Sequence, residues 1–145
     1  METRGHGGGW LLEMDSTSSG FEKMESGVNA RARDFAKFGM LFATEGNWEG
    51  RQLISRGWVE ESTGTDTSTD LSQGYQYFWW VNTPDSETSR FSASGNYGQY
   101  IYVAPEKDLV IVRLGKEEGE RGYGYWKAVD ASPRLHPCLR RRAFP

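Results

Sequence analysis

At 145 residues, 37% hydrophobic and 14% aromatic, the chain is long enough for one cored domain or for a large part of a bigger one. Its net charge of −3 excludes a general attraction to nucleic acid or to an anionic membrane surface, and no apolar run approaches the length of a membrane span. The single cysteine, Cys138, excludes an internal disulfide; with only the distant His6 and His136 beside it, the sequence offers no zinc site and calls for no cofactor.

Residues 1–9 read as a flexible segment. Gly5, Gly7, Gly8 and Gly9 have the density of a phosphate cradle, but no Lys-Ser/Thr follows them and no strand precedes them. Trp10 to Asp15 is a short apolar piece and Ser16 to Gly20 a polar loop. Asn29 to Ala43 is the clearest helix, with Asn29 as N-cap and Ala32, Phe35, Ala36, Phe38, Gly39 and Phe42 at three- and four-residue steps. Phe35, Phe38 and Phe42 are expected to be buried, and Gly46 supplies the stop. Gly46 to Ile54 reads as a turn-rich excursion. Ser55 then caps a short helix that carries Trp58 and Val59 inward and leaves Glu60 and Glu61 solvated. Thr63 to Gly74 is a polar loop, long enough to serve as a rim or lid.

The aromatic run Gly74 to Val81 reads as one strand, Asn82 to Ser86 as a turn, and Ser89 to Ala93 as the returning strand. The chain then crosses the glycine-spaced turn Gly95-Asn96-Tyr97-Gly98, returns through Tyr100 to Ala104, and turns at Glu106-Lys107-Asp108 into the apolar run Leu109 to Leu114. Two glycines three apart permit positive φ or a close backbone approach. A strand opening beside such a turn can hold a ligand by its N–H and C=O groups. These pieces make an antiparallel meander of about four strands with flanking helices, an α+β fold. Gly115 to Gly124 is a charged loop, and Tyr125 to Val129 begins a final helix.

From Ala131 the character changes. Arg134, Arg140, Arg141 and Arg142 fall in the last fifteen residues with no acid among them, which leaves residues 1–130 at −7. Residues 131–145 read as a disordered or out-of-frame tail, and residues 10–130 as the domain. No signal peptide is visible, and the compartment stays open.

The order of motifs resembles a known family. The helix Asn29-Ala30-Arg31-Ala32-Arg33-Asp34-Phe35-Ala36-Lys37-Phe38-Gly39 is followed by Gly46-Asn47-Trp48-Glu49-Gly50 and Trp58-Val59. Then come Gly74-Tyr75-Gln76-Tyr77 with Trp79-Trp80, Ala93-Ser94-Gly95 with Gly98-Gln99, and Val103-Ala104-Pro105-Glu106 before Leu109-Val110-Ile111-Val112. Residues 10–115 thus resemble the C-terminal part of the serine beta-lactamase-like hydrolases. That group takes in class C beta-lactamases, D-alanyl-D-alanine carboxypeptidases (penicillin-binding-protein relatives), esterases and 6-aminohexanoate-dimer hydrolases. The resemblance implies acyl transfer on a small ester, amide or lactam, with Ala93-Ser94-Gly95 at the family's third motif. It makes Ala93, Ser94, Gly95, Asn96, Tyr97 and Gly98 the substrate-binding candidates, and the backbone N–H of Asn96 an oxyanion donor.

The chain departs from that pattern in its nucleophile. No Ser-x-x-Lys occurs, since Gly20, Asp34, Ala104, Arg113 and Gly124 stand three before Lys23, Lys37, Lys107, Lys116 and Lys127. No Tyr-x-Asn occurs, and Ser94-Gly95-Asn96 matches Ser-x-Asn only in letters. Ala93 replaces the third motif's usual cation. The expectation is a C-terminal hydrolase fragment, inactive alone because no base is spaced to activate a serine. The rival expectation is a non-catalytic carbohydrate- or ligand-binding module with Trp79, Trp80, Tyr97, Tyr100 and Tyr102 as an aromatic platform, although Trp79 and Trp80 must face opposite ways in a strand. Unpaired sheet edges would also allow self-association.

Overall fold

The computed structural model describes residues 3–6, 10–14, 16, 18–23, 26–64, 74–81 and 89–117. The chain divides into two compact units, Met1–Phe35 and Ala36–Pro145.

In the first unit, β1 (Thr3–His6) pairs with β2 (Trp10–Glu13), and β2 with β3 (Val28–Asn29), in an antiparallel sheet of order β1-β2-β3. Thr3 to His6 was expected within a flexible segment and is instead a strand. Pairing Arg4 with Leu12 and His6 with Trp10 satisfies the backbone whatever the local composition. Asn29 is likewise a strand residue rather than a helix cap. Its Nδ2 donates to Glu13 Oε1 at 3.3 Å and to the Gly27 carbonyl at 3.2 Å. The helix α1 therefore starts later, at Ala32–Ala43, with the amides of Asp34 and Phe35 both donating to the Arg31 carbonyl.

The end of α1 follows from its last carbonyls. The Glu45 N–H donates to Phe42 O at 3.1 Å and the Gly46 N–H to Leu41 O at 2.8 Å, the paired bonds of a Schellman motif. Glu45 takes the left-handed position at φ 55. Gly46, the expected stop, follows at φ 81, and a side chain there would run into the Ile54 carbonyl. The hairpin β4 (Asn47–Trp48) and β5 (Arg51–Gln52) occupies the turn-rich excursion. Ser55 caps α2 (Arg56–Thr63) as expected, its hydroxyl accepting from the Trp58 N–H at 3.2 Å. Val59 points inward, whereas Trp58, expected inside, is 42% exposed. It packs against Tyr77, ring centroids 4.9 Å apart.

The second unit is built on a five-stranded antiparallel sheet of order β10-β9-β8-β7-β6. The stretch expected as a single strand is a tight hairpin, β6 (Tyr75–Gln76) and β7 (Trp79–Val81), which supplies the fifth strand. Tyr77 and Phe78 form its turn with φ 42 and 75, a left-handed pair normally given to Asn and Gly. The returning strand is β8 (Phe91–Gly95), and β9 (Gln99–Ala104) and β10 (Leu109–Arg113) complete the meander.

One face of this sheet meets α1. Phe42, Val59, Trp79, Val81, Phe91 and Val103 are the buried cluster, with Ala93, Ile101 and Val110 packed on it. Gly39 lets the helix sit directly on the sheet, for a Cβ there would fall 2.7 Å from Val110 Cγ1 and 3.1 Å from Ile101 Cγ2. Phe42 reaches Trp79 at 4.9 Å, and Trp79 meets Phe91 edge-on at 4.9 Å. Phe38, expected to be buried, is 40% exposed but stacks on Trp79 at 5.9 Å. Tyr102 and Ala104, with Leu109 packed on them, form a second small cluster. The polar loop beyond Gly64, the turn after Val81, the final helix and the arginine-rich tail lie outside the described residues.

Candidate active site

The β8–β9 hairpin runs from the core to the surface. Its registered pairs are Phe91 with Val103, Ser92 with Tyr102, Ala93 with Ile101, Ser94 with Tyr100 and Gly95 with Gln99. Phe91 and Val103 are buried, while Ser94 and Gly95 at the other end of β8 are exposed. Pairing stops at Gly95, so Asn96 lies beyond the last rung and is exposed. Tyr97 follows at φ 61, ψ 22 and Gly98 at φ 74, two successive left-handed residues that reverse the chain in three residues.

The turn is braced from the far end of the meander. The Arg113 guanidinium, at the end of β10, donates from Nη1 to the Gly98 carbonyl at 2.7 Å and from Nη2 to the Glu117 carbonyl at 3.3 Å. The Gln99 side chain closes a two-way pair with Gly115: Nε2 donates to the Gly115 carbonyl at 2.6 Å, and Oε1 accepts the Gly115 N–H at 3.2 Å. Both glycines are needed for this approach. A Cβ on Gly98 would collide with Arg113 Nη1, and one on Gly115 with the Tyr97 carbonyl.

The six sequence-derived candidates thus divide by environment. Ser94, Gly95, Asn96 and Tyr97 form the exposed side of the hairpin tip. Ala93 packs against the core, and Gly98 is buried against Arg113. Among the described residues the Ser94 hydroxyl has no hydrogen bond to a base, and no group of three or more His, Cys, Asp or Glu side chains is placed to hold a metal ion. The aromatic platform does not assemble as one surface. Trp79 is buried beneath the sheet, Tyr102 is buried, and Trp80 is exposed beside Tyr75 at 4.8 Å.

Sequence reasoning missed the bracing residues. Arg113 and Gly115 lie fifteen and sixteen positions from their partners, beyond any local pattern. The one available signal was the charged Arg113 inside the otherwise apolar run Leu109 to Leu114.

The sequence profile of the beta-lactamase family matches residues 3–131. The chain belongs to the beta-lactamase family. Among its relatives is a 6-aminohexanoate-dimer hydrolase of Paenarthrobacter ureafaciens, 32% identical over 113 residues that make up 71% of this chain and 28% of the relative. A solved structure from Bacillus anthracis, of a protein proposed to be a 6-aminohexanoate-dimer hydrolase, superposes with a TM-score of 0.66 at 26% identity. That match covers 83% of this chain and 31% of the other. This beta-lactamase-family chain therefore spans less than a third of the length of those two relatives.

Proposed function

We propose that this chain forms the substrate-binding wall of a serine hydrolase site, with the attacking serine and its base supplied by protein outside these 145 residues. In such a site the serine oxygen adds to the acyl carbon of an ester, amide or lactam. The carbonyl π electrons move onto oxygen, and the Asn96 N–H donates to that oxyanion. The acyl–nitrogen or acyl–oxygen bond then breaks, the leaving group takes up the proton that the base removed from the serine, and water hydrolyses the acyl-serine ester to free the acid. A fixed donor at the oxyanion is typically worth about 2.7–4 kcal/mol in the transition state. Ser94 lies on the same exposed tip. Ala93 leaves no cation at its position for a substrate carboxylate. The names of the two relatives favour an amide built from 6-aminohexanoate.

The observation that carries this reading is the end of strand pairing at Gly95, which leaves the aligned donor, Asn96, exposed just past the sheet. The test is a hybrid in which residues 91–117 replace their counterpart in the Paenarthrobacter hydrolase. Asn96→Pro removes the N–H, and Gly95 at φ −129, ψ 173 already has the extended geometry a following proline requires. We expect kcat to fall about 10²–10³-fold in the Asn96→Pro hybrid, with KM little changed. Equal kcat in the two hybrids contradicts the reading. The chain by itself should give no burst with p-nitrophenyl acetate, and stoichiometric labelling by a fluorophosphonate would place a nucleophile within it.

A further inference from the structure

An exposed turn is a poor oxyanion site unless something holds it still. A donor contributes to a transition state only when its position is fixed before charge develops, and loop tips are usually the most mobile part of a sheet. The tip of β8–β9 carries a non-glycine residue, Tyr97, in the left-handed region, which costs free energy unless its surroundings enforce it. Tyr97 itself is 64% exposed, so side-chain packing does not supply the enforcement.

The geometry points to Arg113 and Gln99 as positioning residues that lock the Gly95–Asn96 backbone for acyl-oxygen capture. This deepens the proposed function and rests on it. Arg113 acts through the Gly98 carbonyl: its 2.7 Å bond fixes the peptide that follows the left-handed pair, and the bond from Nη2 to Glu117 orients the guanidinium plane. A charged donor makes this a stronger bond than a neutral amide would. Gln99 fixes the first residue after the turn, because its side chain is pinned at both ends to the backbone of Gly115. Asn96 is thereby held between a strand rung, Gly95 with Gln99, and a clamped return. Neither side chain is placed to touch the substrate in this scheme; both act on the backbone that does.

The test uses the whole chain, labelled with ¹⁵N. In the wild type, the Asn96, Tyr97 and Gly98 amides should have order parameters near 0.85, the value of rigid backbone. In Arg113→Ala they should fall below about 0.6, while Phe91 and Val103 in the core keep wild-type values. Millimolar guanidinium should restore the Arg113→Ala turn, whereas equal urea or sodium chloride should not. Gln99→Glu is the second variant. It keeps the acceptor for the Gly115 N–H but sets a carboxylate against the Gly115 carbonyl, and it should loosen the same three amides. Titration with the linear dimer of 6-aminohexanoate gives the functional readout. The saturable shift of the Asn96 amide should disappear in Arg113→Ala and return with guanidinium. Turn amides as rigid in both variants as in the wild type overturn the proposal. A wild-type Asn96 amide that ignores the dimer, with a turn that still loosens in the variants, refutes the site reading and leaves Arg113 and Gln99 bracing only the fold.

Discussion

The two ends of one hairpin are held by different physics. At its base, Phe91 and Val103 are buried under Phe42 and Trp79, and position is set by volume and close packing. At its tip, Ser94, Gly95, Asn96 and Tyr97 face solvent, and position is set by hydrogen bonds from Arg113 and Gln99 to the backbone. Packing suits an element that must never move. Hydrogen bonding from behind leaves the other side of the tip uncovered.

Damage at the base should be the most severe. Phe42→Ala removes a ring that contacts Phe38, Trp79 and Phe91, and is expected to cost about 3–5 kcal/mol in urea unfolding. That is a large share of the total stability of a small domain, so the variant should be largely unfolded by 37 °C. A wild-type midpoint would mean that the helix does not pack on this sheet.

Damage at the tip should be smaller and local. Gly98→Ala puts a side chain at φ 74 into the space of the Arg113 guanidinium. It should cost about 1–2 kcal/mol, with the lost order confined to residues 96–98 and the core amides unmoved. Disorder spreading to Phe91 or Val103 would erase the distinction between the two ends.

A second tip sharpens the comparison. Tyr77 and Phe78 make a left-handed pair like Tyr97 and Gly98 but without a glycine, and Phe78 is 70% exposed. Phe78→Gly relieves φ 75 with little packing to lose and should raise stability by about 0.5 kcal/mol, the strain released being partly offset by a looser unfolded chain. A loss of stability would show that the exposed ring matters to the fold.

The mildest effect concerns protons. The Tyr77 hydroxyl donates to Glu61 Oε1 at 2.8 Å; that hydrogen bond first, and the carboxylate's charge second, hold the phenol above its ordinary value of 10.0. A raised folded value means that the contribution to stability is complete below the unfolded pKa near 10 and is lost as pH climbs through the folded one. Alkaline titration followed by tyrosinate absorbance should show a late-titrating component in the wild type that Tyr77→Phe removes. Because Tyr77 is exposed, the change in stability should be small.

How much of this the sequence disclosed depends on the range of the forces involved. Ser55 as a cap, Gly46 as a stop, Val59 inward and the α+β meander all follow from periodicity and turn chemistry within a few residues. The hairpin inside Gly74 to Val81 was hidden because its turn uses Tyr and Phe where the usual signal is Asn-Gly. Asn29 was misread because its side chain bonds Glu13, sixteen residues away, in preference to a helix end. Around the proposed site, Gly95 and Gly98 announced the turn, whereas the role of Asn96 is proposed from the family resemblance. The brace stayed invisible because Arg113 and Gly115 meet the turn only once β9 and β10 have paired.

The backbone amide of Asn96 is the decisive group, and it can be observed directly in the unmodified chain. Hydrogen exchange and a ¹H–¹⁵N titration with the 6-aminohexanoate dimer read the same proton. An open donor on a rigid turn should exchange far faster than Val103 and should show a saturable downfield shift as the dimer's amide carbonyl accepts its hydrogen bond. Protection matching Val103, or a resonance that does not move while others do, would contradict the role assigned to it.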